Sequence, residues 1–87
     1  MTRRMLRHEI PVDDDWHSFV GSIRHIATRN PRVVEVWAEH DDDPTVHDPT
    51  QNVIIVGTGH EWPPCAEWIG TALAPSGLVW HLLAATQ

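Results

Sequence analysis

The residues best equipped for chemistry lie at Gly57-Thr58-Gly59-His60, with Trp62 close behind. Two glycines flanking a threonine let backbone N–H groups approach an anion or a carbonyl. His60 adds a hydrogen-bonding ring and Trp62 a stacking face, and Trp37 could supply another. Such a set suits a nucleotide-like small molecule or an acidic side chain. It is not a P-loop, because the G-x-x-x-x-G-K-[ST] spacing is missing and the chain has no Lys. The competing reading is steric, with glycines at a strand end forming a bulge or tight bend.

Seven His and twelve acids raise the question of a metal. Glu39-His40-Asp41-Asp42-Asp43, followed by His47-Asp48, brings imidazoles and carboxylates into one stretch. Yet there is no H-E-x-x-H, a single Cys cannot build a multi-Cys zinc site, and Pro44 spoils a calcium loop. Asp41, Asp42 and Asp43 therefore read as a solvated acidic loop available to a partner. Neither a metal nor a cofactor is expected.

Catalytic signals are equally thin. Cys65 follows two prolines with no cue for a lowered pKa. Ser18, Ser22 and Ser76 lie in no nucleophile elbow. Glu61 and Glu67 could act as an acid–base pair, but nothing in the sequence aims them at a pocket. The expectation is a protein that is not an enzyme.

The frame that must position these residues is small. Eighty-seven residues make one domain, spanning 1–87, with a thin core. Hydrophobic residues at 41% and charged residues at 21% indicate a globular chain. Five Trp can anchor such a core, and any left exposed becomes a binding candidate. The net charge is −6, and Arg3, Arg4 and Arg7 hold half of the bases. The remaining chain is strongly acidic, which opposes direct binding of a nucleic-acid backbone and favours a basic partner face. One Cys permits no intrachain disulfide and fits a reducing compartment. Residues 5–12 are no signal-peptide core, and no apolar run approaches the roughly 20 residues of a membrane span. A cytoplasmic protein without membrane contact is expected.

Alternation marks most elements. Residues 5–12 read as a half-buried strand that Pro11 places at an edge or near its end. Residues 33–40 form a second, with Val34, Val36 and Ala38 on one face and Glu35, Trp37 and Glu39 on the other. Residues 41–51 read as a polar loop, and 52–56 as a central strand covered on both faces. Glu61 to Pro64 reads as a turn with two prolines. Residues 68–74 and 78–83 form a hairpin around Pro75-Ser76-Gly77. His8, His25 and His81 sit among apolar neighbours and read as neutral residues in or near the core. Residues 14–30 are ambiguous. Trp16, Phe19, Val20, Ile23, Ile26 and Ala27 have helical spacing, with an acidic cap before them and Asn30-Pro31 after. Two strands around Gly21-Ser22 fit the same residues.

Three segments, I-I-V-G-T-G-H-E-W-P at 54–63, W-I-G-T at 68–71 and S-G-L-V-W-H at 76–81, resemble a family of short uncharacterised proteins from bacteriophages and actinobacteria. R-H-E-I-P-V at 7–12 and V-V-E-V-W-A at 33–38 fit the same pattern. The family places Pro straight after the His, whereas Glu61-Trp62 intervenes here. The resemblance implies an all-β chain that is extended over 16–29, has no established activity, and is of phage or phage-derived origin.

The resulting expectation is an all-β antiparallel sandwich or small barrel of six or seven short strands. The alternative is an α+β fold with a helix at about 14–30. For function, the expectation is a non-catalytic binding protein engaging a host protein in the host cytoplasm. The alternatives are a sponge for a nucleotide-like small molecule and a virion or assembly component, and a homo-oligomer is compatible with either.

Overall fold

The computed structural model describes residues 2–43, 45 and 47–85. Seven strands follow in chain order: β1 (Arg3–Pro11), β2 (His17–Val20), β3 (Ser22–Asn30), β4 (Val33–Asp41), β5 (Thr50–Gly57), β6 (Ala66–Leu73) and β7 (Val79–Ala85). They form two antiparallel sheets, one ordered β1-β4-β3 and the other β2-β5-β7-β6. The all-β expectation holds. Among the described residues no helix is long and apolar enough to cross a membrane.

The helical alternative for 14–30 is overturned. Trp16 and Val20, which a helical stripe would bury, are exposed, whereas Phe19 and Ile26 are buried. The acids at 13–15 turn the chain instead of capping a helix. Asp13 accepts bonds from the Asp15 amide (3.1 Å) and from His17 Nε2 (2.8 Å), and Asp14 has φ 61°. Gly21 then carries the chain from one sheet to the other. Its φ of 128° excludes most side chains, and a Cβ there would lie 2.8 Å from His40 Cε1. Its amide donates to the Pro49 carbonyl (2.8 Å), which secures the corner.

Inward positions of both sheets build the core. Val34, Val36 and Ala38 of β4 meet Val53 and Ile55 of β5 and Leu82 and Ala84 of β7, with Ile10, Phe19 and Ile26 closing the sides. The shortest extent of the molecule is 16 Å, so two layers fill it.

β5 and β6 both run antiparallel to β7, one on each side of it. Gly57 ends β5 opposite Trp80, whereas Ala66 begins β6 opposite Ala85 at the far end of β7. Residues 58–65 must therefore travel most of the sheet's length, about 20 Å, and cross β7. The inner face is filled by the core, which leaves the outer face for this crossing. There Ile54, Val56 and Leu83 form a second cluster, 5%, 4% and 0% exposed, with Ala66 packed against it. The two-proline turn read at Glu61 to Pro64 is thus corrected. Residues 61–63 have no turn, and the segment serves as an extended strap with turns at its two ends.

Candidate functional site

A hydrogen-bonded chain crosses the outer face of the four-stranded sheet. Trp68 Nε1–H of β6 donates to Thr71 Oγ1 (3.0 Å). Thr71 Oγ1 lies 2.9 Å from His81 Nδ1 on β7, and His81 Nε2 lies 2.9 Å from Thr58 Oγ1 on the strap. Either imidazole tautomer completes the chain. One of them has Thr58 donating to His81, which is the arrangement of a base beside a hydroxyl nucleophile. However, both ring nitrogens are already engaged. The immediate effect of the chain is to pin the start of the strap to β7.

Beside this chain, Gly57, Thr58 and His60 meet the β6–β7 turn at Gly77, Leu78, Val79 and Trp80 around a shallow concavity of about 440 Å³. Gly57 has a steric reason to be glycine, since a Cβ would come within 3.3 Å of Trp80 Cζ3. The His60 amide donates to the Gly57 carbonyl (3.2 Å) and closes the turn. Gly59, with φ 91°, faces open space. Trp80 Nε1 is buried and lacks a hydrogen-bond partner among the described residues, which costs free energy in an apolar wall. Of the residues singled out in the sequence, Gly57, Thr58 and His60 therefore share one wall. Trp62 is half exposed on the strap, and Trp37 lies apart on the outer face of the other sheet.

Asp41 and Asp43 hold their own loop, and Asp42 ties it to Thr2 and Arg4. Asp41 accepts from the Asp43 amide (2.9 Å), and Asp43 accepts from the amide and hydroxyl of Thr45. Asp42 accepts from the Thr2 amide (2.7 Å) and approaches Arg4 (3.8 Å). Pro44, weighed above against a calcium loop, is outside the described residues. Among the described residues no group of three or more His, Cys, Asp and Glu is placed to hold a metal ion.

Two clusters escaped the sequence reading. The first is a relay in which His8 Nε2 lies 2.9 Å from His40 Nε2 and His40 Nδ1 lies 3.1 Å from Asp48 Oδ2. The carboxylate fixes the Nδ1–H tautomer of His40, so His40 Nε2 accepts the proton of His8. Burial, and then the nearness of His40, push His8 below the ordinary histidine pKa. The second lies on the outer face of the three-stranded sheet, where Glu35 and Glu39 each take two Arg. Hydrogen bonds from Arg29 to Glu35 and from Arg3 to Glu39 are the leading cause holding each carboxyl below its ordinary pKa. Alternation alone had grouped Glu35, Trp37 and Glu39, but their Arg partners required the register of β1 and β3. The core reading of His25 is also corrected, because it is exposed and rests against Trp37 with ring centroids 5.4 Å apart.

No curated protein and no solved structure is significantly similar to this chain. One family model, described as a domain of unknown function (DUF7352), matches residues 1–87, and the chain belongs to that family.

Proposed function

We propose that this domain is a non-catalytic binding protein, of bacteriophage or phage-derived origin, that engages a host protein in the host cytoplasm. The observation that supports this reading is the group of apolar side chains left uncovered around the strap. Trp62 is 50% exposed, Trp68 53% and Leu73 71%, and Leu78 stands beside them in the β6–β7 turn. The outward strand positions they flank, such as Thr71, Val79, His81 and Leu83, carry no formal charge, in a chain of net charge −6. Large aromatic and aliphatic anchors on an uncharged patch are the usual energetic centre of a protein interface. Glu61 is exposed beside Trp62 on the strap, so the partner meets this edge of the patch with a basic group. The thin interior also favours binding over an enclosed reaction centre.

The test is site-specific photo-crosslinking in the native host, with the crosslinker at Leu73 or Trp62 and a control at Asp42. The expected result is one host protein joined from the first two positions and not from the third, with Leu73→Glu abolishing capture at position 62. Crosslinks between copies of the chain alone would assign the patch to assembly instead. Equal capture from all three positions would remove the proposal.

A further inference from the structure

The outer face of the three-stranded sheet holds its charges in two layers. Glu39 accepts bonds from Arg3 (2.7 Å) and Arg24 (2.9 Å), and Glu35 from Arg7 (2.7 Å) and Arg29 (2.6 Å). The two carboxylates lie low, with side chains 22% and 6% exposed. The guanidiniums lie above them, with side chains 71%, 56%, 46% and 72% exposed. Glu9, bound to Arg7 (3.3 Å), and Asp41, near Arg3, complete the face at its rim. Four Arg against four acids make this face neutral in sum, while the whole chain carries −6. Because the central acids are the buried partners, the middle of the face presents cations to solvent.

Between the two Arg pairs lies the Trp37 ring, a stacking platform with the His25 ring tilted 55° against it, centroids 5.4 Å apart. Trp37 stands between Glu35 and Glu39 along β4, in register with Arg7 on one side and His25 on the other. Two residues of strand separate Trp37 from each carboxylate, or about 6–7 Å. That is close to the reach from a nucleobase to its own 5′-phosphate. Each guanidinium has N–H groups left after binding its carboxylate, and these suit a phosphate.

The geometry points to this face as a binding site for a mononucleotide, with its base stacked on the Trp37 ring beside His25 and its phosphate on one of the two Arg pairs. The site is separate from the patch around the strap and stands without it. An acidic peptide would use the Arg but not the rings. A long nucleic acid would run past the platform into the acidic remainder of the molecule and be repelled. A single nucleotide uses both features within the platform's bounds.

The test is a titration of the full chain followed by ¹H–¹⁵N NMR of indole and Arg Nε groups, with AMP, GMP, adenosine, inorganic phosphate and a thymidine oligonucleotide as probes. Trp37→Phe identifies the Trp37 indole signal. AMP or GMP at about 1 mM is expected to shift Trp37 and at least one Arg pair. Adenosine and phosphate alone should each bind at least about tenfold more weakly. Arg24→Gln, Arg29→Gln and His25→Ala alter exposed side chains, and with folding checked by the amide spectrum of each variant at least two of them should weaken the nucleotide about tenfold. Three results would overturn the assignment: no shift at Trp37, equal response to phosphate alone, or binding of a thymidine oligonucleotide without any mononucleotide.

Discussion

His8 and His40 face one another Nε2 to Nε2 at 2.9 Å, so a single proton serves the bond between the two rings. Asp48 holds the far nitrogen of His40, and Phe19 packs T-shaped against His8 with ring centroids 5.0 Å apart. An added proton must therefore enter at His8 Nδ1, in a setting that disfavours the charge. A base with a depressed folded pKa binds fewer protons folded than unfolded. Its contribution is complete above the unfolded value of about 6.5 and declines as pH falls through it. The melting temperature is expected to drop between about pH 7 and pH 5. His8→Gln, which keeps a donor toward His40 and does not titrate, should flatten that slope.

The Arg–Glu clusters act in the opposite pH range. Glu35 and Glu39 have folded pKa values below the ordinary one, chiefly through hydrogen bonds from Arg29 and Arg3. Their stabilisation is present above the unfolded value of about 4.3 and is lost as pH falls through the lower folded values. Urea midpoints measured from pH 6 to pH 3 should fall steeply at the acid end. Glu35→Gln should lower the midpoint at pH 6 and make the acid end shallower. A parallel shift at every pH would show that the carboxylate's charge is not what matters.

At the corner, Gly21→Ala is expected to destabilise by about 1–3 kcal/mol from its φ alone, with the clash against His40 Cε1 added. Gly59→Ala has a similar φ requirement and open space around it, so it isolates the backbone cost at about 1 kcal/mol. Denaturant unfolding of both variants measures the difference, and equal losses would show that the His40 contact yields without cost.

The strap separates packing from pinning. Leu83→Ala should cost about 2–5 kcal/mol despite its place on the outer face, because Leu83 is fully buried in the cluster beneath the strap's crossing. Thr58→Val breaks the bond to His81 and should cost only about 0.5–1.5 kcal/mol, while amide exchange in 59–62 quickens. A Leu83→Ala loss within the range of an ordinary surface change would mean that the strap does not cover it.

Most of the element pattern was legible locally. Alternation in residues 5–12 and 33–40 put Ile10, Val34, Val36 and Ala38 on inward faces, and the continuous apolar run at 52–56 marked a strand covered on both sides. Side chains of a strand point alternately, so a period of two suffices for that. At 14–30 local pattern fails, since residues spaced three and four apart also alternate once Gly21 breaks the run. The strap was misread as a turn because its course depends on β5 and β6 flanking β7, which no local spacing encodes.

The chain's own residues thus fixed what is local: a small acidic all-β domain, its inward faces, and a glycine-bounded turn at 57–60. Tertiary structure alone decided what depends on register between strands distant in sequence. It brought Arg3, Arg7, Arg24 and Arg29 over two glutamates of β4, set His8 against His40 and His40 against Asp48, and carried residues 58–65 across β7. Such contacts follow from which strands pair and at what offset, a choice made by the packing of the whole core.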